Sequence, residues 1–411
     1  MDEPGATKEN MVRLLIYSHF FAPGIGGVEK QVLSLARGLS HKNPQSGAAN
    51  FDVTVVTSTA GKNEDDSGYP FNVVRGPSLR HLWRLIRRAE VVHIAGPSLL
   101  PLAMALLLRK PTVIEHHGYQ SICPNGILIH QPERSLCPGH FQAKRYGMCF
   151  KCLASEMSWA ASCKRVLLMF PRYLLSKYAT ANIAITQHVL DRHRLPASQL
   201  IYYGVENHQT QLTQLTPTTG GAHKFRFAFV GRFVPEKGIG VLLEAVNILK
   251  PQNINFEIRL IGDGPARKEV DATIEKLQLA EYVHVTGYAA PGEAMANALK
   301  DVDAVIVPSV WEEAAGFSAI EQMMDGRMVI ASAVGGLAEV VGDGGWLFPL
   351  GDAGALASLM KKVLLDPSLA GTVGAGGRGR ALKLFETDRM IREHAHLYWQ
   401  LAGVDQPRLT A

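Results

Sequence analysis

Short runs of β-branched and apolar residues alternate with helix-length patterns along this chain, and the alternation occurs twice. In the first half, strand-like runs fall at 12–17, 51–57, 72–74, 91–94, 112–114 and 183–186, with helical patterns at 28–39, 79–90 and 97–109 among them. After a break, runs at 225–230, 256–261, 283–285, 304–307, 328–330 and 346–348 alternate with helical patterns at 236–249, 265–278 and from 316. Strands apolar throughout must be covered on both faces, and helices between them act as crossovers, so neighbouring strands run parallel. The expected fold class is α/β, with two successive doubly wound, Rossmann-like domains. Ligands of such sheets bind beyond the carboxyl ends of the strands, so a cleft between the two domains is the expected site. The break, GVENHQTQLTQLTPTTGGAHK, is Gln/Thr-rich and aperiodic and reads as a linker. The boundaries that follow are 1–203 for the first domain, 204–223 for the linker, 224–385 for the second domain and 386–411 for a final helix.

Composition narrows the class further. At 411 residues the chain holds two or three domains. With 47% hydrophobic and 19% charged residues it is neither disordered nor fibrous. A net charge of +5, from 42 basic and 37 acidic residues, gives no ground for a nucleic-acid partner. MDEPGATKEN at the start is not a secretory signal, and the longest apolar stretch, 98–108, falls short of the ~20 residues that span a bilayer. The expectation is a cytoplasmic protein, with free thiols or a metal site favoured over a disulfide framework for its five cysteines.

Three loops that follow strand-like runs carry candidate chemistry. In PGIGGVE (23–29), Gly26 and Gly27 open a helix and let backbone amides approach a phosphate or a sugar; the same glycines also suit a plain tight turn. The spacing is not the dinucleotide fingerprint. In GRFVPEKG (231–238), Arg232 and Lys237 stand between a strand end and a helix start. Helix N-termini disfavour cations, so an anion such as a diphosphate explains the pair better than chance surface charge does. In WEEAAGFSAIE (311–321), the amides of Gly316, Phe317 and Ser318 open a helix and suit an anion, while Glu313 and Glu321 suit sugar and ribose hydroxyls. Carboxylates for hydroxyls beside cations and amides for phosphates fit a nucleotide-activated sugar.

These residues also carry a resemblance. GRFVPEKGI, the Glu313/Glu321 pair with seven residues between them, and VGGLAEVVGDGGWLFPLGD (334–352) resemble the retaining glycosyltransferases of family 4, which have the GT-B fold. GIGGVE and Tyr203-Gly204-Val205 agree, so the resemblance covers nearly the whole chain. It implies transfer of a sugar from a nucleoside diphosphate sugar, of UDP or GDP type, to a glycan, glycolipid or small-molecule acceptor, without a metal. It implies catalytic roles for His117, Glu313, Arg232 and Lys237, and donor binding by Gly26, Gly27, Arg232, Lys237, Gly316, Phe317, Ser318 and Glu321. His117 matches the family's histidine in HGYQSICPNG, with His116 as the competing neighbour. In the family the C-terminal helix crosses back to the first domain. Ala315, Met328 and the run Gln322-Met323-Met324-Asp325 depart from the family pattern and bear on which sugar is carried.

Two features stand outside this plan. An insertion at 118–160 holds Cys123, Cys137, Cys149 and Cys152, for which structural zinc, free thiols and a disulfide are all open, while Cys163 falls in a helical pattern and reads as core. At 79–88, Leu79, Leu82, Trp83 and Ile86 share one helix face and Arg80, Arg84, Arg87 and Arg88 the other. That helix reads either as core-facing with a solvated basic side or as a binder of anionic membrane surfaces. Rival functions are a GT-B phosphorylase or sugar-nucleotide epimerase, and a catalytically silent partner protein of the same fold. A dinucleotide oxidoreductase is the weakest rival.

Overall fold

Alternate residues of the first strand enter two different cores. Val12, Leu14 and Ile16 pack into one buried cluster, whereas Leu15 packs into another on the opposite side of the sheet, as the two-residue period of a strand requires. The structure, a computed structural model, describes residues 11–24, 26–40, 51–61, 66–207, 224–252 and 254–404. They divide into two compact units, Met1–Gly204 with Thr387–Ala411, and Val205–Glu386. Of the linker read at 204–223, residues 208–223 lie outside the described residues.

The strands of the first unit are β1 (Val12–Ser18), β2 (Phe51–Thr57), β3 (Asn72–Arg75), β4 (Val91–Ala95), β5 (Thr112–His116), β6 (Ile129–His130), β7 (Ser135–Leu136), β8 (Ala181–Ala184) and β9 (Ser198–Leu200). Seven of them make one parallel sheet in the order β3-β2-β1-β4-β5-β8-β9, with Leu14 opposite Val91 and Val113 opposite Ala181. Helices Gly27–Ser40 and Thr387–Ala402 cover one face, and Trp399 of the latter stacks on Phe51 at 5.4 Å. Helices Leu79–Arg88 and Leu99–Leu107 cover the other.

Local readings are corrected at four places. The strand expected at 183–186 ends at Ala184, because Thr186 caps the next helix by accepting a hydrogen bond from the Val189 amide. The insertion at 118–160 has the antiparallel pair β6–β7, the helix Tyr146–Ala154 and a small core of Phe141, Cys149, Leu153, Val166 and Met169. Of the apolar face expected on Leu79–Arg88, Leu82 and Ile86 are in the core while Leu79 and Trp83 are exposed. Cys163, read as core, is only half-buried.

The second unit has β10 (Phe225–Val230), β11 (Phe256–Ile261), β12 (Val283–Gly287), β13 (Ala304–Val307), β14 (Met328–Ser332) and β15 (Trp346–Phe348) in the parallel order β12-β11-β10-β13-β14-β15. Its core is rich in phenylalanine, with Phe227, Phe229, Phe233 and Phe256 all fully buried. The chain travels outward from β10 through β11 to β12 and then returns to lay β13 against the other side of β10. Loops leaving the carboxyl ends of β10 and β13 therefore start side by side and diverge, which opens a crevice at that switch point. In the first unit the equivalent point lies between β1 and β4.

Candidate active site

The loops after β10 and β13 bring together residues that are far apart in sequence. Lys237 ends the short turn Pro235–Lys237, and Glu313 lies in the loop before the helix Phe317–Met324. The Val310 amide donates to the Glu236 carbonyl at 2.9 Å, which fastens one loop to the other. Across that junction the Lys237 Nζ lies 2.6 Å from the Glu313 Oε1, and the Ser309 hydroxyl donates to the same oxygen at 2.5 Å. The Gly336 amide donates to the Glu313 carbonyl at 2.7 Å and fixes the backbone. Glu313 is buried; burial pushes its carboxyl up, but the Lys237 charge with the hydrogen bonds from Lys237 and Ser309 outweighs this and holds it below the usual range. An ionised carboxylate and a lysine are thus held in one fixed geometry, the carboxylate covered and the lysine partly open to solvent.

Two glycines make this geometry accessible to the backbone. Gly238 has φ +67°, and a side-chain carbon there would run into the Pro308 carbonyl. Gly316, at φ +79°, caps the helix Phe317–Met324, and a side chain on it would meet Leu337 at 2.6 Å. The helix ladder starts with the Ala319 amide bonding to the Gly316 carbonyl, so the amides of Gly316, Phe317 and Ser318 lie ahead of it. Glu321 sits one turn further along, half-buried, and Arg232 is exposed just after β10. The expected residues Arg232, Lys237, Glu313, Gly316, Phe317, Ser318 and Glu321 thus all lie on the loops and helix starts that follow β10 and β13. Sequence reasoning missed Ser309; its position four residues before Glu313 was the available signal.

The first unit places its candidates differently. Gly27 begins the helix Gly27–Ser40, with the Lys30 amide bonding to the Gly26 carbonyl at 3.1 Å. The Glu29 carboxylate lies against Gly24 and Gly26. A helix start that already meets its own carboxylate suits hydroxyl donors better than a second anion.

His117 follows β5 and belongs to a buried cluster. Its Nδ1 is 2.8 Å from the Tyr203 hydroxyl, and the two rings stack at 5.7 Å. Its Nε2 lies 3.6 Å from the Glu115 Oε2, too far for a hydrogen bond. The His93 Nε2 is 3.3 Å from the same oxygen, and the His394 Nε2 is 3.8 Å from Oε1. The Tyr398 hydroxyl meets the His93 Nδ1 at 2.8 Å, so the C-terminal helix closes the cluster. Burial pushes the Glu115 carboxyl up, but the rings of His117, His93 and His394 outweigh it and hold it far below the usual range. Burial lowers His117 and takes His394 down to about 4. His116 faces elsewhere: its Nε2 is 2.9 Å from the Asn182 Oδ1, its Nδ1 is 3.1 Å from the Ser121 hydroxyl, and burial holds it neutral. His116 is therefore a structural histidine, and His117 turns both ring nitrogens inward.

All four cysteines of the insertion are buried, reduced and unbridged. The Cys123 thiol donates to the Asn125 Oδ1 at 2.8 Å, and Cys152 accepts from the Gln131 amide at 3.3 Å. Burial pushes Cys123 up to about 11 and Cys149 up to about 12. Among the described residues no group of three or more His, Cys, Asp or Glu side chains is placed to hold a metal ion. Of the expected zinc set Cys123, Cys137, Cys149 and Cys152, the Cys149 side chain packs in the small core and the Cys123 and Cys152 thiols bond to neighbouring polar groups. The expected result with a thiol reagent on the folded protein at neutral pH is reaction at Cys163 alone, the other four reacting only after unfolding. A stoichiometric zinc content, or fewer than five thiols in denaturant without reductant, would contradict this.

Residues 221–380 match the family model described as glycosyl transferases group 1, and residues 25–149 match glycosyltransferase family 4. The 2-deoxystreptamine glucosyltransferase of Streptomyces kanamyceticus is 35% identical over 34% of this chain and 36% of its own length. The MMP alpha-(1->4)-mannosyltransferase of Mycolicibacterium hassiacum is 28% identical over 57% of this chain and 55% of its own. The chain thus matches only about a third to about half of these relatives' lengths. Among solved structures, Anabaena HepE in complex with UDP superposes with a TM-score of 0.68 at 18% identity, over 95% of this chain and 100% of that one. Sucrose-phosphate synthase from Thermosynechococcus elongatus gives 0.68 at 21% identity, over 95% and 99%. These likenesses show the GT-B fold.

Proposed function

The chain belongs to the family 4 type of glycosyltransferase, and from that premise we propose that it transfers a sugar, with retained anomeric configuration, from a nucleoside diphosphate sugar to an acceptor hydroxyl. The observation that carries the reading is the Lys237–Glu313 pair at 2.6 Å, with Arg232 exposed in the same loop as Lys237 and a helix starting after Gly316, at the switch point of the second unit. Arg232 and the amides of Gly316, Phe317 and Ser318 receive the diphosphate. Lys237 neutralises the charge that grows on it as the bond to the sugar breaks, and needs no metal to do so. Glu313, ionised and rigidly held, accepts hydrogen bonds from sugar hydroxyls, and Glu321 from the ribose. The acceptor hydroxyl attacks from the face the diphosphate leaves, giving up its proton to a departing phosphate oxygen.

The structure of HepE with UDP-glucose supports a UDP-type donor, with GDP as the other expected base. The names of relatives support a glycan or small-molecule acceptor: a lipopolysaccharide 1,2-N-acetylglucosaminetransferase of Salmonella typhimurium on one side, the 2-deoxystreptamine glucosyltransferase on the other. In the first unit Gly26 and Gly27 offer amides to hydroxyls. We assign His117 to holding the 117–123 loop through Tyr203, since neither ring nitrogen is presented outward.

A ligand that binds the folded state raises the melting temperature by mass action, by about 2.7 kcal/mol of stability at a hundred times its Kd. Thermal-shift measurements with UDP and GDP sugars should show a rise with one base, and that rise should vanish in Glu321→Ala. No shift with any nucleoside diphosphate would favour the silent-partner reading, and product release without an acceptor sugar would favour an epimerase or phosphorylase.

A further inference from the structure

One guanidinium fastens three separate segments of the first unit, beside the carboxyl ends of its strands. Arg75 is the last residue of β3, and its Nη1 donates to the Ala22 carbonyl at 2.9 Å, in the loop that leads from β1 to the helix Gly27–Ser40. The same nitrogen donates to the Thr59 carbonyl at 3.3 Å, in the loop after β2. Its Nε and Nη2 donate to the two carboxylate oxygens of Asp66 at 2.9 and 2.8 Å, in the short turn Asp66–Gly68. A two-pronged pair of this kind sets the plane of the guanidinium as well as its position. The Arg75 side chain is only 12% exposed, and its Cζ lies 5.8 Å from the centre of the fully buried Phe21 ring.

Further bonds pin the same loop. The Phe21 amide donates to the Thr59 hydroxyl at 3.0 Å, the Ser18 hydroxyl donates to the Phe20 carbonyl at 2.5 Å, and the Gly24 amide closes a turn onto the Phe21 carbonyl at 3.1 Å. Phe20 nevertheless stands 58% exposed on this stiff backbone. The loop leaves β1 at the switch point between β1 and β4, where ligands of such sheets bind. Ala22, the residue that Arg75 holds, is four residues before Gly26 and five before Gly27.

We propose that Arg75 is a positioning residue for sugar transfer: it touches no substrate, and it sets where the backbone amides of Gly26 and Gly27 stand so that they meet the sugar hydroxyls. This rests on the reading of those two glycines as donors to hydroxyls. A lysine cannot replace the arginine, because one ammonium does not present the planar fork that reaches Ala22, Thr59 and both Asp66 oxygens together. Without the fork, the loop keeps its bonds to Thr59 and Ser18 and loses the one at Ala22, nearest the glycines. Misplacing a substrate-holding group by about 1 Å costs up to about a hundredfold in rate. The clamp lies wholly in the first unit, so binding of a nucleoside diphosphate to the loops of the second unit does not depend on it.

Steady-state kinetics and thermal-shift measurements on the full chain test this. Arg75→Lys should lower kcat/KM by about tenfold to a hundredfold. UDP or GDP, whichever raises the melting temperature of the wild type, should raise that of the variant by the same amount. Asp66→Asn keeps the arginine but weakens its fork, and should lower kcat/KM by less. Arg75→Lys/Asp66→Asn should cost no more than Arg75→Lys alone, since both changes undo one clamp. A purely structural arginine would lower the melting temperature of the variants and leave kcat/KM per folded molecule unchanged, and that result overturns the proposal. Loss of the nucleotide-induced shift along with activity overturns it too, because the damage would then reach beyond the clamp. If Arg75→Lys does not fold, Asp66→Asn decides by the same criteria. A wild type that neither nucleotide stabilises and that transfers no sugar overturns the functional reading, and the role of Arg75 with it; a wild type that does both, beside variants of unchanged kcat/KM, overturns the role of Arg75 alone.

Discussion

Replacing Lys237 by alanine should lower kcat by a factor on the order of 10²–10³, the size of a lost hydrogen-bond donor at a developing anion. Glu321→Ala should instead raise KM at nearly unchanged kcat, because ribose hydroxyls change little between ground and transition states. The geometry adds a coupling between two of these residues. Lys237 and Ser309 both hold the Glu313 carboxylate, so Lys237→Ala takes a charged partner from that buried group and leaves it with neutral ones such as Ser309. Burial would then dominate and raise the Glu313 pKa, adding an ascending limb to the pH profile of the variant. Lys237→Ala/Glu313→Ala should therefore cost less than the sum of the single changes. Steady-state kinetics on the three single variants and the double variant measure all of this with one donor. Turnover preserved in Lys237→Ala and lost in Glu321→Ala would reverse the assignment of roles.

Glu115→Ala should destabilise the first unit by about 1–3 kcal/mol, the usual loss when a buried polar group is left without its hydrogen-bond partner. The carboxylate is 3% exposed and is surrounded by His93, His117 and His394, and its removal leaves three imidazoles without their common partner. The same cluster sets a pH dependence. Glu115 is held below its unfolded pKa of about 4.3, so its stabilisation is present above that value and is lost as pH falls through the folded one. His394 of the cluster, and His193 outside it, whose ring lies 4.5 Å from that of His116, are held near 4, mainly by burial, against about 6.5 in the unfolded chain. Between those values the unfolded state binds protons that the folded state refuses, so stability drops as pH falls from about 6.5 to about 4. Urea midpoints followed from neutral pH down to about 4.5 should decline in the wild type. His394→Gln should reduce the decline by up to about 1.4 kcal/mol per pH unit. Midpoints that stay level over this range, or a Glu115→Ala protein as stable as the wild type, would show that the cluster does not hold the unit together.

Many of the strands were legible because a strand leaves a local trace. The run at 225–230 is the strand Phe225–Val230, and that at 346–348 is Trp346–Phe348. Glycines at the turns were legible for the same reason, since a positive φ or a close backbone approach is a demand on one residue. Thr186 misled as strand because a β-branched residue is at home in a sheet, whereas its hydroxyl serves better as a helix cap in this context. The insertion lacked any period because its helix and hairpin are short and are closed by cysteine and aromatic packing rather than by repeated apolar positions.

Glu115 was the least legible residue of all, although a carboxylate inside the apolar run Thr112–His116 is itself a sign that something must meet it. Its partners come from β4, from the loop after β5 and from the C-terminal helix, and no local pattern names them. The same holds at the candidate active site. Composition and spacing pointed to a cation in one loop and a carboxylate in another. Lys237 and Glu313 are 76 residues apart, and they meet because β13 returns to pair with β10. Side-chain periodicity reports what each residue owes to its own element. Strand order and register are decided only when elements bury their faces against one another, and these fix which distant side chains share a site.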